Sequence, residues 1–219
     1  MKAIILAAGK GKRFGEITKI QPKPLIKIGK ISLIERNILL LKKHNFKDIV
    51  INVSHLSEMI IKELGNGDKF GVNIKYSIEK PEPLETGGGI QNALPLLGDN
   101  SFLALNSDIF TDYDLQKISI KKNDLASLVM VKNPSHNLDG DFSLEDKRIS
   151  LNGNHKLTYA GIAIFNPKIF TNIKLKKYKL INILIDNIKN DKISGYEHKG
   201  IWHDVGTKDR LETVNKLFF

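Results

Sequence analysis

The chain has 219 residues, 41 % of them apolar, which suits one large α/β domain or two small ones and excludes wholesale disorder. It contains no cysteine, which excludes disulfide frameworks, thiolate metal sites and thiol nucleophiles and fits a reducing cytoplasm. The net charge is +10, but only four of the 34 basic residues are Arg, and the lysines are spread singly or in pairs with little aromatic interleaving. A solvated, lysine-heavy surface accounts for that pattern, and no specific nucleic-acid partner is expected.

No apolar run approaches the roughly 20 residues of a membrane span, so no membrane partner is expected either. The opening MKAIILAAG begins like a signal peptide but runs into a glycine-lysine cluster without a small-residue cleavage site. Residues 2–7 therefore read as a buried strand, apolar on both sides as a parallel sheet requires. Ser32-Leu-Ile-Glu35 is a capping box that opens a helix with Ile34, Ile38 and Leu41 on one face, ending near His44-Asn45. Residues 48–53 are a second strand. Ser57 caps a helix through Leu64, stopped at Gly65-Asn-Gly67. Residues 74–78 form a third strand, 88–97 a short helix, 102–106 a fourth strand and 126–131 a fifth.

Strand and helix alternate through this first part, which predicts a doubly wound, mostly parallel sheet. Residues 141–151 and 156–165 read as antiparallel strands around the turn signal Asn152-Gly153-Asn154. Residues 180–189 are helical, 196–205 strand-like, and Thr207 starts a closing helix. There is no internal repeat and no Pro/Gly/Ser linker. One domain over 1–219 is expected, with 1–132 as the core and 133–219 as a lid-like substrate lobe with closing elements.

The first strand runs into ILAAGKGKRFG. Gly9, Gly11 and Gly15 make G-x-G-x-x-x-G, one residue longer than the dinucleotide fingerprint, and the turn carries Lys10, Lys12 and Arg13. No G-x-x-x-x-G-K-[ST] is present, so a P-loop is excluded. An open nest of backbone N–H groups and cations suits a polyphosphate. A plain strand-to-helix turn with solvated lysines has the same composition. TKIQPKPL follows, with Lys23 between Pro22 and Pro24. Each proline fixes its own φ and favours extended geometry before it, which puts Lys23 on a stiff strut able to meet a phosphate at fixed distance. The alternative is a proline-rich surface turn.

LAAGKGKRFGEITKIQPKPL resembles the signature L-A-A-G-x-G-x-R-x(4)-T-x(3)-P-K-P-L of the sugar-phosphate nucleotidyltransferases. The resemblance continues through INVSHL (51–56), PLETGGGI (83–90), NSDIFTDYDL (106–115), GDF (140–142), TYAGIAIFNP (158–167) and IWHDVGTKDRL (201–211). These stretches are similar to the branch that acts on N-acetylmuramate 1-phosphate with UTP. Phe14 stands where that family usually has Leu or Met, and Ser32 where a Pro often begins the first helix.

The resemblance implies a Rossmann-like mixed sheet of the nucleotide-diphospho-sugar transferase type with a small antiparallel substrate lobe. It implies transfer of a nucleotidyl group, UTP the expected donor, to a sugar 1-phosphate. It places Arg13, Lys23, Asp108 and Asp204 in catalysis. The turn from Ala8 through Gly9, Lys10, Gly11 and Lys12 to Arg13 would hold the nucleotide phosphates, with Lys23 bridging to the sugar phosphate. Asp108 and Asp204, each at a strand end, would ligate Mg²⁺; turn-capping roles are the alternatives. Glu79, Gly87, Gly88 and Asn106 would form the base pocket, Glu79 being otherwise a surface residue after a strand. Glu85, Asn106 and Asp141 would meet the sugar. His136 and His203 are expected to be structural or solvated, and Trp202 to be core. No lysine can be singled out to receive the lactyl carboxylate that muramate carries, and the sequence assigns no oligomeric state.

Overall fold

The computed structural model describes residues 1–153, 155–171 and 173–219. Strand β1 (Ala3–Leu6) is apolar throughout and has a parallel partner on each edge. A strand covered on both faces must be apolar at every position, and Ala3, Ile4 and Ile5 are fully buried. Beyond it come a 3-10 turn over Lys12–Phe14, the four-residue helix α1 (Ile17–Ile20) and a second 3-10 turn over Lys23–Leu25. A small hairpin, β2 (Lys27–Ile28) with β3 (Ile31–Ser32), leads into α2 (Leu33–Lys43). The capping box forms: Ser32 Oγ accepts from the Glu35 N–H while the Glu35 carboxylate accepts from the Ser32 N–H. Two amides that have no partner within the helix are thereby satisfied.

The chain continues through β4 (Asp48–Val53), α3 (Ser57–Leu64), β5 (Asn73–Ile78), α4 (Glu85–Leu97), β6 (Phe102–Asn106), β7 (Ile109–Thr111) and β8 (Ala126–Val131). It ends with β9 (Phe142–Glu145), β10 (Arg148–Ser150), β11 (Lys156–Phe165), α5 (Leu180–Lys189), β12 (Ile193–His198), β13 (Trp202–Asp204) and α6 (Lys208–Phe218). The main sheet has the order β5-β4-β1-β6-β11-β8-β12-β10-β9. Its first four strands are parallel, as the alternating pattern predicts. β11 runs antiparallel to both neighbours, so the α/β sheet as a whole is mixed.

Successive strand residues point to opposite faces, and two apolar cores follow. Ile5, Ile51 and Leu105 pack with α2 and α3 on one face. Ile4, Val50 and Ala104 pack with α4 and α5 on the other. Each fully buried Leu or Ile contributes about 1.5–3 kcal/mol by leaving water. A third, smaller cluster joins Phe14, Ile26, Ile28 and Leu33 to Val205 and Val214, which ties the first turn to the closing helix.

Four local expectations need correction. Residues 133–219 do not fold aside from 1–132, because β11 and β12 enter the same sheet on either side of β8. Residues 141–151 are a hairpin rather than one strand, turning at Asp146-Lys147, both at positive φ. The turn signal Asn152-Gly153-Asn154 joins that hairpin to β11, and its third residue lies outside the described residues. Residues 196–205 divide at Lys199-Gly200. The Asp112 carboxylate accepts the Ile201 N–H and Thr111 Oγ donates to the Ile201 carbonyl, which turns the chain away to pair β13 with β7. Finally, Lys23 opens a 3-10 turn instead of an extended strut, while Gln21 before Pro22 is extended. A proline in a first helical turn loses no hydrogen bond, so Pro24 permits it.

Candidate active site

The carboxyl ends of the parallel strands border a cleft of about 660 Å³, where an open α/β sheet places its ligands. Ala8, Gly9, Lys10, Gly11, Lys12, Arg13, Lys23, Glu79, Glu85, Asn106 and Asp108 line it, as expected. Gly87, Gly88, Asp141 and Asp204 do not.

Gly11 sits at φ 63°, and a Cβ there would lie 3.0 Å from both Lys23 Cβ and Thr18 Cγ2. Glycine thus serves twice, adopting a left-handed turn and letting the Lys23 stem cross beneath it. Thr18 Oγ1 donates to the Gly15 carbonyl at 2.9 Å, and Phe14 is buried under the turn. Lys23 Nζ lies 5.6 Å from the Phe14 ring centre and forms an ion pair with Asp108. Both side chains are largely buried, at 12 % and 19 % exposure.

Asp108 and Asp204 come together through backbone pairing. Asp204 stands opposite Ile109 in the β13–β7 pair, and the Val205 N–H donates to the Asp108 carbonyl at 2.8 Å. Arg210 Nη1 donates to both Asp204 oxygens at 2.7 and 2.6 Å. His136 Nε2 lies 3.1 Å from the same carboxylate. Arg210 is a site neighbour that the sequence did not single out, and His136, expected to be structural or solvated, contacts both Asp204 and Arg210. A Cβ on Gly206 would meet the Arg210 guanidinium and come within 3.2 Å of Arg13 Nη2, so two guanidinium groups converge at this glycine.

Glu79 is 2 % exposed. Its two oxygens accept from Asn52 Nδ2 and the Leu84 N–H, each at 2.6 Å. Asn52 Oδ1 in turn accepts from the Ala7 N–H at 2.8 Å. This chain of hydrogen bonds couples the first turn to the loop after β5. Glu79 is therefore a wall of the cleft with both oxygens engaged, not a surface glutamate. Burial raises its pKa, and the Leu84 and Asn52 donors offset part of that rise. A raised carboxyl pKa means the folded state holds the proton more tightly, so stability grows as pH falls from the raised value toward 4.5. Urea titrations at pH 7 and pH 5 should accordingly shift the balance between the parent and Glu79→Gln toward the parent at the lower pH. An unchanged difference would refute the raised pKa.

Gly87 and Gly88 are placed differently from expectation. Their Cα faces abut Tyr178 and Lys176, and both N–H groups donate to the Tyr178 carbonyl. The close approach that these glycines allow is taken by the chain itself, whose 176–178 segment packs on the start of α4. Gly89 similarly makes room for Glu79. Helix α4 thus begins at Glu85, three residues before Gly88, because tertiary packing overrides the poor helix propensity of three glycines. Glu85 itself sits at φ 62°, a conformation that costs an L-residue about 1–2 kcal/mol. Strain of this kind clusters at functional sites, and here it belongs to a residue of the cleft wall.

Asn106 lines the cleft at the end of β6, and Gly161 on the bulged strand β11 makes room for its side chain. The register shifts between Tyr159 and Ala163, and a Cβ on Gly161, at φ 72°, would lie 2.7 Å from Asn106 Nδ2. Asp141 lies outside the cleft and is a second correction. Its carboxylate accepts from the Tyr159 N–H at 2.8 Å and from Asn137 Nδ2, which satisfies an amide left unpaired beside the bulge. Trp202 is half-buried against the core and donates from Nε1 to the Ala160 carbonyl, and His203 packs against Phe110 and Phe218.

The family model for nucleotidyl transferases matches residues 2–141. An N-acetylmuramate alpha-1-phosphate uridylyltransferase of Neisseria meningitidis serogroup B is 42 % identical, with 99 % of this chain and 98 % of that protein aligned. A D-glycero-alpha-D-manno-heptose 1-phosphate guanylyltransferase of Campylobacter jejuni is 32 % identical over 95 % and 96 % of the two chains. Among solved structures, HddC from Yersinia pseudotuberculosis complexed with GMP-PN superposes with a TM-score of 0.82 at 20 % identity, covering 100 % and 99 %. That last likeness speaks for the fold alone. With the fold, the glycine turn and the full-length relatives in agreement, the chain belongs to the nucleotidyl transferase family.

Proposed function

We propose that the protein joins UTP and N-acetylmuramate 1-phosphate to give UDP-N-acetylmuramate and pyrophosphate. The observation that carries this is the full-length likeness to the Neisseria uridylyltransferase. A role in peptidoglycan recycling in the cytoplasm goes with that reaction.

The chemistry asks for positioning and charge neutralisation. An oxygen of the sugar phosphate attacks the α-phosphorus; that O–P bond forms as the bond to the β-phosphate oxygen breaks, and pyrophosphate leaves with the electron pair. The nucleophile is already an anion at neutral pH, so no general base is required. Backbone amides of the first turn and Arg13 hold the β- and γ-phosphates. Lys23 stands between the α-phosphate and the sugar phosphate and screens their repulsion.

Two hard carboxylates, Asp108 in the turn before β7 and Asp204 at the end of β13, with phosphate oxygens and water completing the shell, are a donor set that suits Mg²⁺. Asp108 and Asp204 would hold it. When bound, the ion neutralises phosphate charge. Lys23 and Arg210 balance the two carboxylates in the free chain.

A second reading is favoured by the Campylobacter relative: transfer of a guanylyl group to a mannose or heptose 1-phosphate. Such enzymes share the phosphate machinery and differ in the base and sugar pockets, where a single hydrogen bond can decide specificity. A non-catalytic nucleotide-binding paralogue is disfavoured because Arg13, Lys23, Asp108 and Asp204 are all present. The test is pyrophosphate release with Mg²⁺ across four nucleoside triphosphates and a panel of sugar 1-phosphates. Release confined to UTP and N-acetylmuramate 1-phosphate is expected. Release confined to GTP with mannose or heptose 1-phosphate would replace the substrate assignment.

A further inference from the structure

We infer that Lys177 is the cation that receives the lactyl carboxylate of the acceptor sugar, and that Glu82 holds its place until the sugar arrives. The inference rests on the muramate reading above and supplies the residue that would select for it.

Five cations line the cleft: Lys10, Lys12, Arg13, Lys23 and Lys177. The first four belong to one short stretch, the glycine turn and the 3-10 turn after it; Lys10 also lies within electrostatic reach of Glu82, more weakly than Lys177 does. Lys177 comes from the connection between β11 and α5, far away in sequence. The residue that follows it is anchored. Tyr178 N–H donates to the Leu84 carbonyl, the Tyr178 carbonyl accepts from Gly87 and Gly88, and Tyr178 Oη donates to Gln91 at 3.1 Å. The glycines at the start of α4 therefore have a purpose that a ligand contact would not explain: they seat the segment that carries Lys177 on the cleft wall.

The partner of Lys177 points the same way. Its ammonium donates to Glu82 Oε2 at 2.9 Å, and both side chains are about half exposed, at 49 % and 56 %. An ion pair so exposed contributes little to folding. A carboxylate of the substrate can exchange with Glu82 at small cost, because one lysine–carboxylate contact replaces another. The neighbourhood also requires a cation. Glu82 and Glu85 both line this wall, and the Lys177 pKa is raised by Glu82 first and by Glu85 more weakly. An acidic sugar entering between two glutamates would be repelled unless a positive group met it there.

The experiment is a cycle that crosses the protein change with a ligand change. Parent and Lys177→Met are assayed for pyrophosphate release with UTP, using N-acetylmuramate 1-phosphate and its lactyl methyl ester. The parent should favour the free acid by about ten- to a hundredfold in kcat/KM, the size of a hydrogen bond to a charged group. Most of this should lie in KM. Lys177→Met should use acid and ester about equally, with the ester used as well as by the parent. Glu82→Gln, which removes the competing carboxylate, should lower the KM for the acid and leave the ester unchanged. A preference for the acid that survives in Lys177→Met overturns the inference, as does a parent that does not distinguish acid from ester. A parent that uses neither, yet turns over another sugar 1-phosphate, overturns the muramate reading itself and the inference with it.

Discussion

Lys23→Ala is expected to fold and to lose about 100- to 1,000-fold in pyrophosphate release, the loss seen when a preorganised donor to developing charge is removed. The geometry explains why no neighbour substitutes. Gly11 opens the space through which the Lys23 stem passes, Phe14 lies beneath its ammonium, and Asp108 fixes the far end. A lysine so constrained is already where it must act, and bringing another cation there would require remodelling the turn. The folded state loses one largely buried ion pair, so stability should fall by about 1–3 kcal/mol rather than collapse. Thermal unfolding followed by circular dichroism checks the fold, and single-turnover release checks the chemistry. Full turnover from folded protein would remove Lys23 from the mechanism.

Asp204→Ala should lose at least about 100-fold in turnover and also lower the melting temperature, for two separable reasons. The carboxylate anchors Arg210 through both oxygens, and under the proposed function it would be one of the two acidic groups that hold Mg²⁺. Without it, the guanidinium groups of Arg210 and Arg13 face each other across Gly206 with less opposing charge. Asp204→Asn separates the contributions. The amide oxygen can still accept from Arg210, so the melting temperature should largely recover, while turnover stays low at every Mg²⁺ concentration because the charge is gone. Full recovery of turnover in Asp204→Asn would show that positioning Arg210 is all that Asp204 does.

What was legible in the sequence was what short-range chemistry dictates. β4, β6, β8 and α5 begin and end where the apolar runs meet turn signals. The capping box of α2 needs only two residues three apart. That the glycine turn and Lys23 share the cleft was legible for the same reason, since they lie in one continuous stretch. The rest was not. Asn52 at the end of β4 and Lys177 before α5 line the cleft, and Arg210 of α6 holds Asp204 beside it; nothing local to them marks those places. Gly87 and Gly88 misled because glycine reports close approach but not what approaches; here it is Tyr178 and Lys176. Asp141 misled because a backbone amide freed by the β11 bulge claims it first.

The placement of β11 bears on how the chain is made as well as on what it binds. β6 ends at Asn106, but the strand that covers its second edge is not finished until Phe165. A ribosome adding about 5–20 residues per second needs roughly 3–12 s to cross that interval. Through it, the parallel half of the sheet presents an uncovered edge of Phe102, Leu103, Ala104 and Leu105. β8 meanwhile has no partner at all, since both of its neighbours, β11 and β12, come later in the chain. An open apolar edge is a template for a second nascent chain. Crowded translation is thus a hazard for this molecule, eased when β11 covers β6 and one edge of β8 and ended for β8 only when β12 follows.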